Sequence, residues 1–165
     1  MFDRRPARTV PSTIHRVRLR EATDADNEFC LRLNVAAMRE YVEPIYGWDI
    51  DVQRRYHDEW FAANRRSISI IEDDDGASIG VLDLSDEGDH VYLSRIAILP
   101  EAQGRGVGSA VMEDLIGRGR TIRLHVLTNN VDARRFYERF GFIVDPDSER
   151  EHHLSMRRSG GARRV

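Results

Sequence analysis

The residues best placed to do chemistry form one run, Gln103-Gly104-Arg105-Gly106-Val107-Gly108-Ser109. Glycines stand at alternate positions, so backbone N–H groups can approach a ligand with no Cβ in the way. Val107, Val111 and Leu115, with Met112 beside them, then recur at helical spacing. A helix N-terminus presents unpaired N–H donors and the positive end of a dipole. Together these features make a cradle for phosphate, and Arg105 adds a cation. A P-loop needs Gly-Lys-Ser/Thr after the turn, and the chain contains no lysine. A dinucleotide fingerprint needs Gly or Ala three residues after the second glycine. Ser109 stands there, and no βαβ start precedes the turn. A turn that binds nothing is the remaining alternative at this level.

The cradle must be positioned by its neighbours. The apolar, β-branched stretch from His90 to Leu99, with Ile96 and Ile98, reads as a strand that Pro100 stops. Upstream, a strand is expected over Ile14–Arg20, then a helix capped at Thr23–Asp26 and running to about Glu40. Tyr41–Trp48, broken by Pro44 and Gly47, reads as an aromatic loop. A helix over Asp51–Ala63 should turn Val52, Tyr56, Trp60 and Phe61 inward. Strands Ser67–Ile71 and Ser78–Leu84 flank the Asp73–Gly76 hairpin turn. After the helix that ends near Gly117, a strand is expected over Thr121–Leu127. A helix capped by Asn129-Asn130 follows, with Ala133, Phe136, Tyr137 and Phe140 on one face and Gly141 at its end. Phe142–Val144 and Glu151–Met156 are two last strands around the turn at Pro146–Ser148.

The 165 residues fit one domain with a sizeable core, set as a flexible arm over 1–12, a domain over 13–158 and a flexible tail over 159–165. The net charge of −3 argues against a nucleic-acid surface. All 25 basic residues are arginine, which reads as a genomic composition bias. The lone Cys30, in a helical pattern, excludes an internal disulfide and a multi-cysteine metal site and reads as buried. No apolar run reaches the roughly 18 residues of a membrane span, and the N-terminus lacks an apolar signal core. A cytoplasmic protein, monomer or homodimer, with no membrane or nucleic-acid partner, is the expectation.

The order β-α-α-β-β-β-α-β-α-β-β, combined with Gln103-x-x-Gly106-x-Gly108, resembles the GCN5-related N-acetyltransferase (GNAT) superfamily. A second motif supports the resemblance: Leu124-x-Val126-x-x-x-Asn130-x-x-Ala133-x-x-Phe136-Tyr137-x-x-x-Gly141-Phe142. The resemblance implies an α/β fold with a mixed, mostly antiparallel sheet splayed at its centre. It implies acetyl-CoA as co-substrate, without a metal, and acyl transfer to an amine. The amides of Gln103, Gly104, Arg105, Gly106, Val107, Gly108 and Ser109 would hold the pyrophosphate. Ile96, Ala97 and Ile98 would pair with the pantetheine arm, and N–H groups near Ile98 would polarise the thioester carbonyl. Asn130, Ala133, Phe136 and Tyr137 would line the coenzyme, Asn130 also serving as helix cap.

Direct attack by an amine leaves two proton tasks: the amine must be neutral, and the departing thiolate benefits from a proton. An α-amino group titrates at about 7.7–8.0 and a lysine amine at about 10.4, so the lysine needs far more help. Tyr137 matches the family's proton donor to the thiolate, although it also continues an apolar stripe and could be plain core. The glutamate that many family members carry before the turn is absent, since Tyr92 and Ser94 hold the matching positions. This places a lysine-directed activity in doubt. His125 stands where enzymes resembling ribosomal-protein N-terminal acetyltransferases place a base, and histidine titrates near 6.5. It could equally be an ordinary strand histidine. Glu43 or Asp83 acting through water is a third source of a base.

The acceptor pocket implied by the resemblance uses the Tyr41–Trp48 loop, so Tyr41, Glu43, Tyr46 and Trp48, with Tyr92 and Ser94, are its candidates. An aromatic wall with one carboxylate suits a small or amino-acid-like amine, unless the aromatics only pack the helices together. A protein N-terminus as acceptor, and a non-catalytic acyl-CoA-binding domain, stay as alternatives. Arg95 or Arg123 near the thioester would favour an acidic acyl chain. Neighbouring His152 and His153 point to opposite faces of a strand, so they do not make a metal pair.

Overall fold

The structure, a computed structural model, describes residues 10–11, 16–146 and 150–161. Its strands are β1 (Val10–Pro11), β2 (Arg16–Glu21), β3 (Ile68–Glu72), β4 (Ser78–Asp86), β5 (Val91–Ile98), β6 (Ile122–Leu127), β7 (Ile143–Val144) and β8 (His153–Arg158). Its helices are α1 (Asn27–Tyr46), α2 (Ile50–Asn64), α3 (Val107–Gly117) and α4 (Val131–Arg139). The strands form one mixed sheet in the order β1-β2-β3-β4-β5-β6-β8-β7, and among the described pairs only β5 with β6 is parallel. The mixed, mostly antiparallel fold read from the sequence is therefore present. Val10–Pro11, inside the expected arm, pair with Val17 and Arg16. Residues 1–9, 12–15, 147–149 and 162–165 lie outside the described residues, and with them most of the expected arm, Ile14, the 147–148 turn and the end of the tail.

Two cores follow from the period-two alternation of the strands. One packs Ile71, Leu82, Leu93, Ile122 and Leu124 against Val107, Val111, Met112 and Leu115 of α3, with α4 alongside. The other packs Ile68, Ile70, Val81 and Ala97 against Cys30 and Leu33 of α1 and Phe61 of α2. The two helical layers therefore sandwich the sheet. Cys30 is buried as expected, and desolvation pushes its thiol up to about 11.

Several boundaries need correction. The Tyr41–Trp48 stretch is no loop: α1 runs through Pro44 to Tyr46. The proline removes one helical hydrogen bond close to the C-terminus, where little helix remains to disrupt. Gly47, at φ 73°, then ends the helix by donating its N–H to Glu43 O at 2.9 Å. In α2, His57 and Phe61 are the buried residues and Tyr56 is 63% exposed. Each residue turns about 100° around a helix axis, so a stripe centred on His57 and Phe61 leaves Tyr56 outside. Finally, β8 continues to Arg158, two residues beyond the expected end. Arg157 Nε bonds Asp145 Oδ1 at 2.6 Å and Arg158 Nε bonds Phe140 O at 2.9 Å.

A polar knot holds β2 against β3 and the start of α1. Buried Glu72 accepts from both Arg18 and Arg20. Arg20 also forms a bidentate pair with buried Asp26, at 2.8 and 2.7 Å. Asp26 in turn accepts from the Thr23 N–H at 2.7 Å, the reciprocal half of a capping box. No helix among the described residues is long and apolar enough to cross a membrane.

Candidate active site

The sheet opens at its centre. β5 and β6 pair only at Val91–Ile122 and Tyr92–Arg123, after which they part, β6 staying bonded to β8. On its other edge β5 stays bonded to β4, and Leu99 N–H reaches Ile79 O at 2.8 Å. Antiparallel bonding alternates, so Ala97 turns its main-chain groups toward β4 while Ile96 and Ile98 present theirs to the opening. A Cβ built on Gly80 of β4 would sit 2.7 Å from Ala97 O, consistent with that direction. Of the three residues expected to face the opening with their main chain, Ile96 and Ile98 therefore do.

The opening runs into the glycine turn. A short 3-10 turn over Pro100–Ala102 follows β5, and Gln103 folds back to donate its Nε2–H to Ile98 O at 2.9 Å. Gly104 and Gly106 have φ of 73° and 80°, a region unfavourable for other residues. The first closing bond of α3 runs from Ala110 N–H to Gly106 O, so the N–H groups of Val107, Gly108 and Ser109 point out of the helix end. Arg105 is exposed beside them. Gly108 lies against α4, where a Cβ would touch the Phe136 ring at 3.6 Å. Phe136 packs on Tyr137 and Phe140, and Asn130 caps α4 by accepting the Ala133 N–H at 3.1 Å. The coenzyme candidates on α3 and α4 are thus one contiguous group.

Tyr137 is enclosed between Phe136 and Phe142, with ring centroids 5.4 and 5.5 Å away. Burial raises its pKa well above the usual tyrosine value, so the phenol keeps its proton. Among the described residues its hydroxyl has no hydrogen-bond partner.

On the α1–α2 face, the structure joins two candidates that lie 33 positions apart in the sequence. The Tyr92 hydroxyl on β5 lies 2.7 Å from His125 Nδ1 on β6. Partial desolvation first, then the neighbouring His153 and Arg150, lower the His125 pKa below its ordinary 6.5. Burial, with Asp83 nearby, raises that of Tyr92. Both groups are neutral at pH 7, so the phenol donates and the imidazole accepts.

A bulge in β5 shapes the same face. Asp83 opposes Arg95 while the next β4 residue, Leu84, opposes Leu93, so Ser94 is the extra residue and is itself exposed. The bulge puts Tyr92 and Arg95, three apart, on one face. The Arg95 guanidinium lies 4.1 Å over the Trp60 ring. Asp83, 2% exposed, accepts from Ser67 Oγ at 2.5 Å. Arg95 and Trp60 carry no motif. The sequence signal of Arg95 is a charge at an inward phase of an apolar strand, and that of Trp60 is its place on the inward stripe of α2.

The expected aromatic wall is only partly assembled. Tyr41 is tied to the start of α4 through its carbonyl, which accepts from Asn129 Nδ2 at 2.9 Å. Tyr46 is 60% exposed and meets His152 edge-on at 5.6 Å. Glu43 pairs with Arg39 on the α1 surface at 3.2 Å, and Arg39 also lies over Trp48. Glu43 and Trp48 are thus drawn together through Arg39.

A mixed sheet opened beyond one parallel pairing, with a glycine-rich helix N-terminus at its mouth, defines an acyltransferase-type fold. The comparisons agree, since the acetyltransferase (GNAT) family model matches residues 34–142. The chain belongs to that family. Among characterised relatives it is 32% identical over 161 residues to mycothiol acetyltransferase of Mycolicibacterium gilvum, covering 87% of this chain and 52% of that protein. The chain thus spans about half the length of this relative. A tRNA-acetylating toxin of Mycobacterium tuberculosis is 38% identical over 65 residues, covering 34% of this chain and 38% of the toxin. Among solved structures, PaiA N-acetyltransferase from Thermoplasma acidophilum, in complex with coenzyme A, superposes with a TM-score of 0.65 at 16% identity. That match covers 87% of this chain and 98% of the other. Ard1 from Thermoplasma volcanium gives 0.62 at 23% identity, covering 88% and 99%. These structural likenesses concern the fold.

Proposed function

We propose that the protein transfers an acetyl group from acetyl-CoA to the amine of a small, amino-acid-like acceptor by direct attack. The observation that carries this is the opening between β5 and β6, which leads from the Tyr92–His125 pair straight to the N-terminus of α3. The main chain of Ile96 and the N–H of Ile98 offer an edge to an extended pantetheine arm, Gln103 already holding the Ile98 carbonyl, and the glycine turn offers N–H donors to the pyrophosphate.

Tyr92 and His125 act as one base. The acceptor ammonium gives a proton to Tyr92 Oη as Tyr92 passes its own to His125 Nδ1, leaving a neutral amine and an imidazolium. The amine nitrogen then bonds the thioester carbon, and the carbon–sulfur bond breaks. Tyr137, whose phenol is kept protonated, gives its proton to the thiolate; the new amide nitrogen loses its extra proton to water, from which Tyr137 regains one, and the His125 imidazolium returns its proton to water as the products leave.

The imidazole's lowered pKa selects the acceptor. Deprotonating a lysine amine, at about 10.4, would cost more than about 5 kcal/mol, against more than about 2 kcal/mol for a peptide-type α-amine near 8, with a carboxylate-bearing α-amine between the two. The reading is tested by supplying acetyl-CoA with a panel of α-amines, simple alkylamines and lysine-rich proteins and following thiol release. Turnover of the small α-amines is expected; turnover of protein lysines alone contradicts it. A second reading, a protein N-terminus as acceptor, is favoured by exposed Tyr46, which leaves that side of the site open.

A further inference from the structure

Arg95 stands out because its guanidinium faces Trp60 and the nearby charge of Asp83 without donating a hydrogen bond to either. A guanidinium carries five N–H donors and cannot shed its proton in a protein. Charged groups under cover are ordinarily paired. Arg95 makes no hydrogen bond or ion pair among the described residues, although it is held largely out of solvent, 4.1 Å over Trp60. Asp83, its opposite number on β4, spends its carboxylate on Ser67 Oγ at 2.5 Å and forms no ion pair with it. The indole covers one side of the guanidinium, whose N–H groups make no hydrogen bond among the described residues. That is the geometry for bidentate binding of a carboxylate.

The bulge at Ser94 decides where that carboxylate lies. Without the extra residue, Tyr92 and Arg95 would point to opposite faces of the strand. With it, both face the α1–α2 layer. We propose that Arg95 is a carboxylate receptor in the acceptor site, so that the preferred acceptor is an amine that also carries a carboxylate. It holds the carboxylate while Tyr92 and His125 deprotonate the amine at the other end. The proposal rests on the acyltransferase reading above. A carboxylate could also come from the donor, as in a succinyl chain. The side shared with the Tyr92–His125 pair favours the acceptor.

The test uses the full chain and pairs each amino acid with its own carboxamide, measuring kcat/KM with acetyl-CoA. The carboxamide's amine is the less basic and more often neutral, so a charge-blind site would favour it. The wild-type protein is expected to prefer the carboxylate by about 10- to 100-fold. Arg95→Met should erase that preference by lowering kcat/KM for the carboxylate far more than for the carboxamide, and Arg95→Lys should keep part of it. Equal use of acid and amide by the wild type overturns the proposal without needing a variant. So does an equal loss on both substrates in a variant that folds normally by circular dichroism. A third arm offers succinyl-CoA with a carboxylate-free amine. Preference for that donor, with no preference among acceptors, moves the carboxylate to the acyl chain and overturns the assignment to the acceptor. Turnover of neither acid nor amide, with acetyl-CoA still bound, instead overturns the acyltransferase reading and this proposal with it.

Discussion

The Tyr92 hydroxyl and His125 Nδ1 meet at 2.7 Å, at the point where β5 and β6 part. Tyr92 comes from β5 and His125 from β6, and their contact bridges the last paired position of the two strands. Neither alone makes a strong base at neutral pH. In the proposed mechanism the joined pair supplies a hydroxyl that contacts the acceptor and an imidazole that stores its proton.

The pair should behave as a unit. Tyr92→Phe and His125→Ala are each expected to lower kcat by about 100-fold, and the double variant should lose little more than either single one. Steady-state kinetics on the two singles and the double checks this. Multiplicative losses would separate the two residues.

The pH profile follows from the His125 shift. The active form is the neutral imidazole, which exists above the folded-state pKa, and that pKa lies below 6.5. kcat/KM should therefore hold through neutral pH and fall on an acid limb with its midpoint below 6.5. His125→Ala should remove that limb.

Tyr137 should matter to departure of the thiolate and little to binding. Tyr137→Phe keeps the packing against Phe136 and Phe142, so the fold should persist. A loss in kcat of about tenfold or more is expected, with the KM for acetyl-CoA almost unchanged. An acceptor panel with thiol-release kinetics separates the two parameters.

Two glycines test the walls of the opening. Gly106→Ala places a side chain at φ 80° and should cost about 1–2 kcal/mol of stability while weakening acetyl-CoA binding. Gly80→Ala drives a Cβ to 2.7 Å from Ala97 O, so β4 and β5 must separate at the edge of the opening. It should destabilise the fold more than Gly106→Ala does, as read by thermal unfolding.

Acid stability should report the polar knot. Arg20, first of all, and the Thr23 N–H hold Asp26 at about 2, below the 3.8 of a free aspartate. A depressed carboxylate stabilises the fold above the unfolded value, and this stabilisation is lost as pH falls through the folded one. About 2 kcal/mol should disappear between pH 4 and roughly 2. Asp26→Asn should flatten that part of the curve in urea unfolding.

The fold was legible because its signals are local. Ile96, Ile98, Pro100 and the glycines mark strand, stop and turn within a dozen residues, and Phe136 to Gly141 mark α4 and its end. The end of α1 was hidden because Pro44 usually breaks a helix but sits here one turn from the terminus. His57 was hidden because Tyr56 is the more apolar neighbour. The Tyr92–His125 bond depends on strand pairing between distant segments, and the Arg95 position depends on a bulge at Ser94 that no residue type announces. Such relations arise from register, which the sequence carries only through the whole sheet.

The central claim is tested most directly by a crystal structure with acetyl-CoA bound. The account predicts pyrophosphate on the amides at the start of α3 and pantetheine along Ile96 and Ile98. It places the thioester carbon within one acceptor's reach of the Tyr92 hydroxyl, with Tyr137 beside the sulfur. Coenzyme bound outside the β5–β6 opening, or a thioester out of reach of the Tyr92–His125 pair, would contradict it.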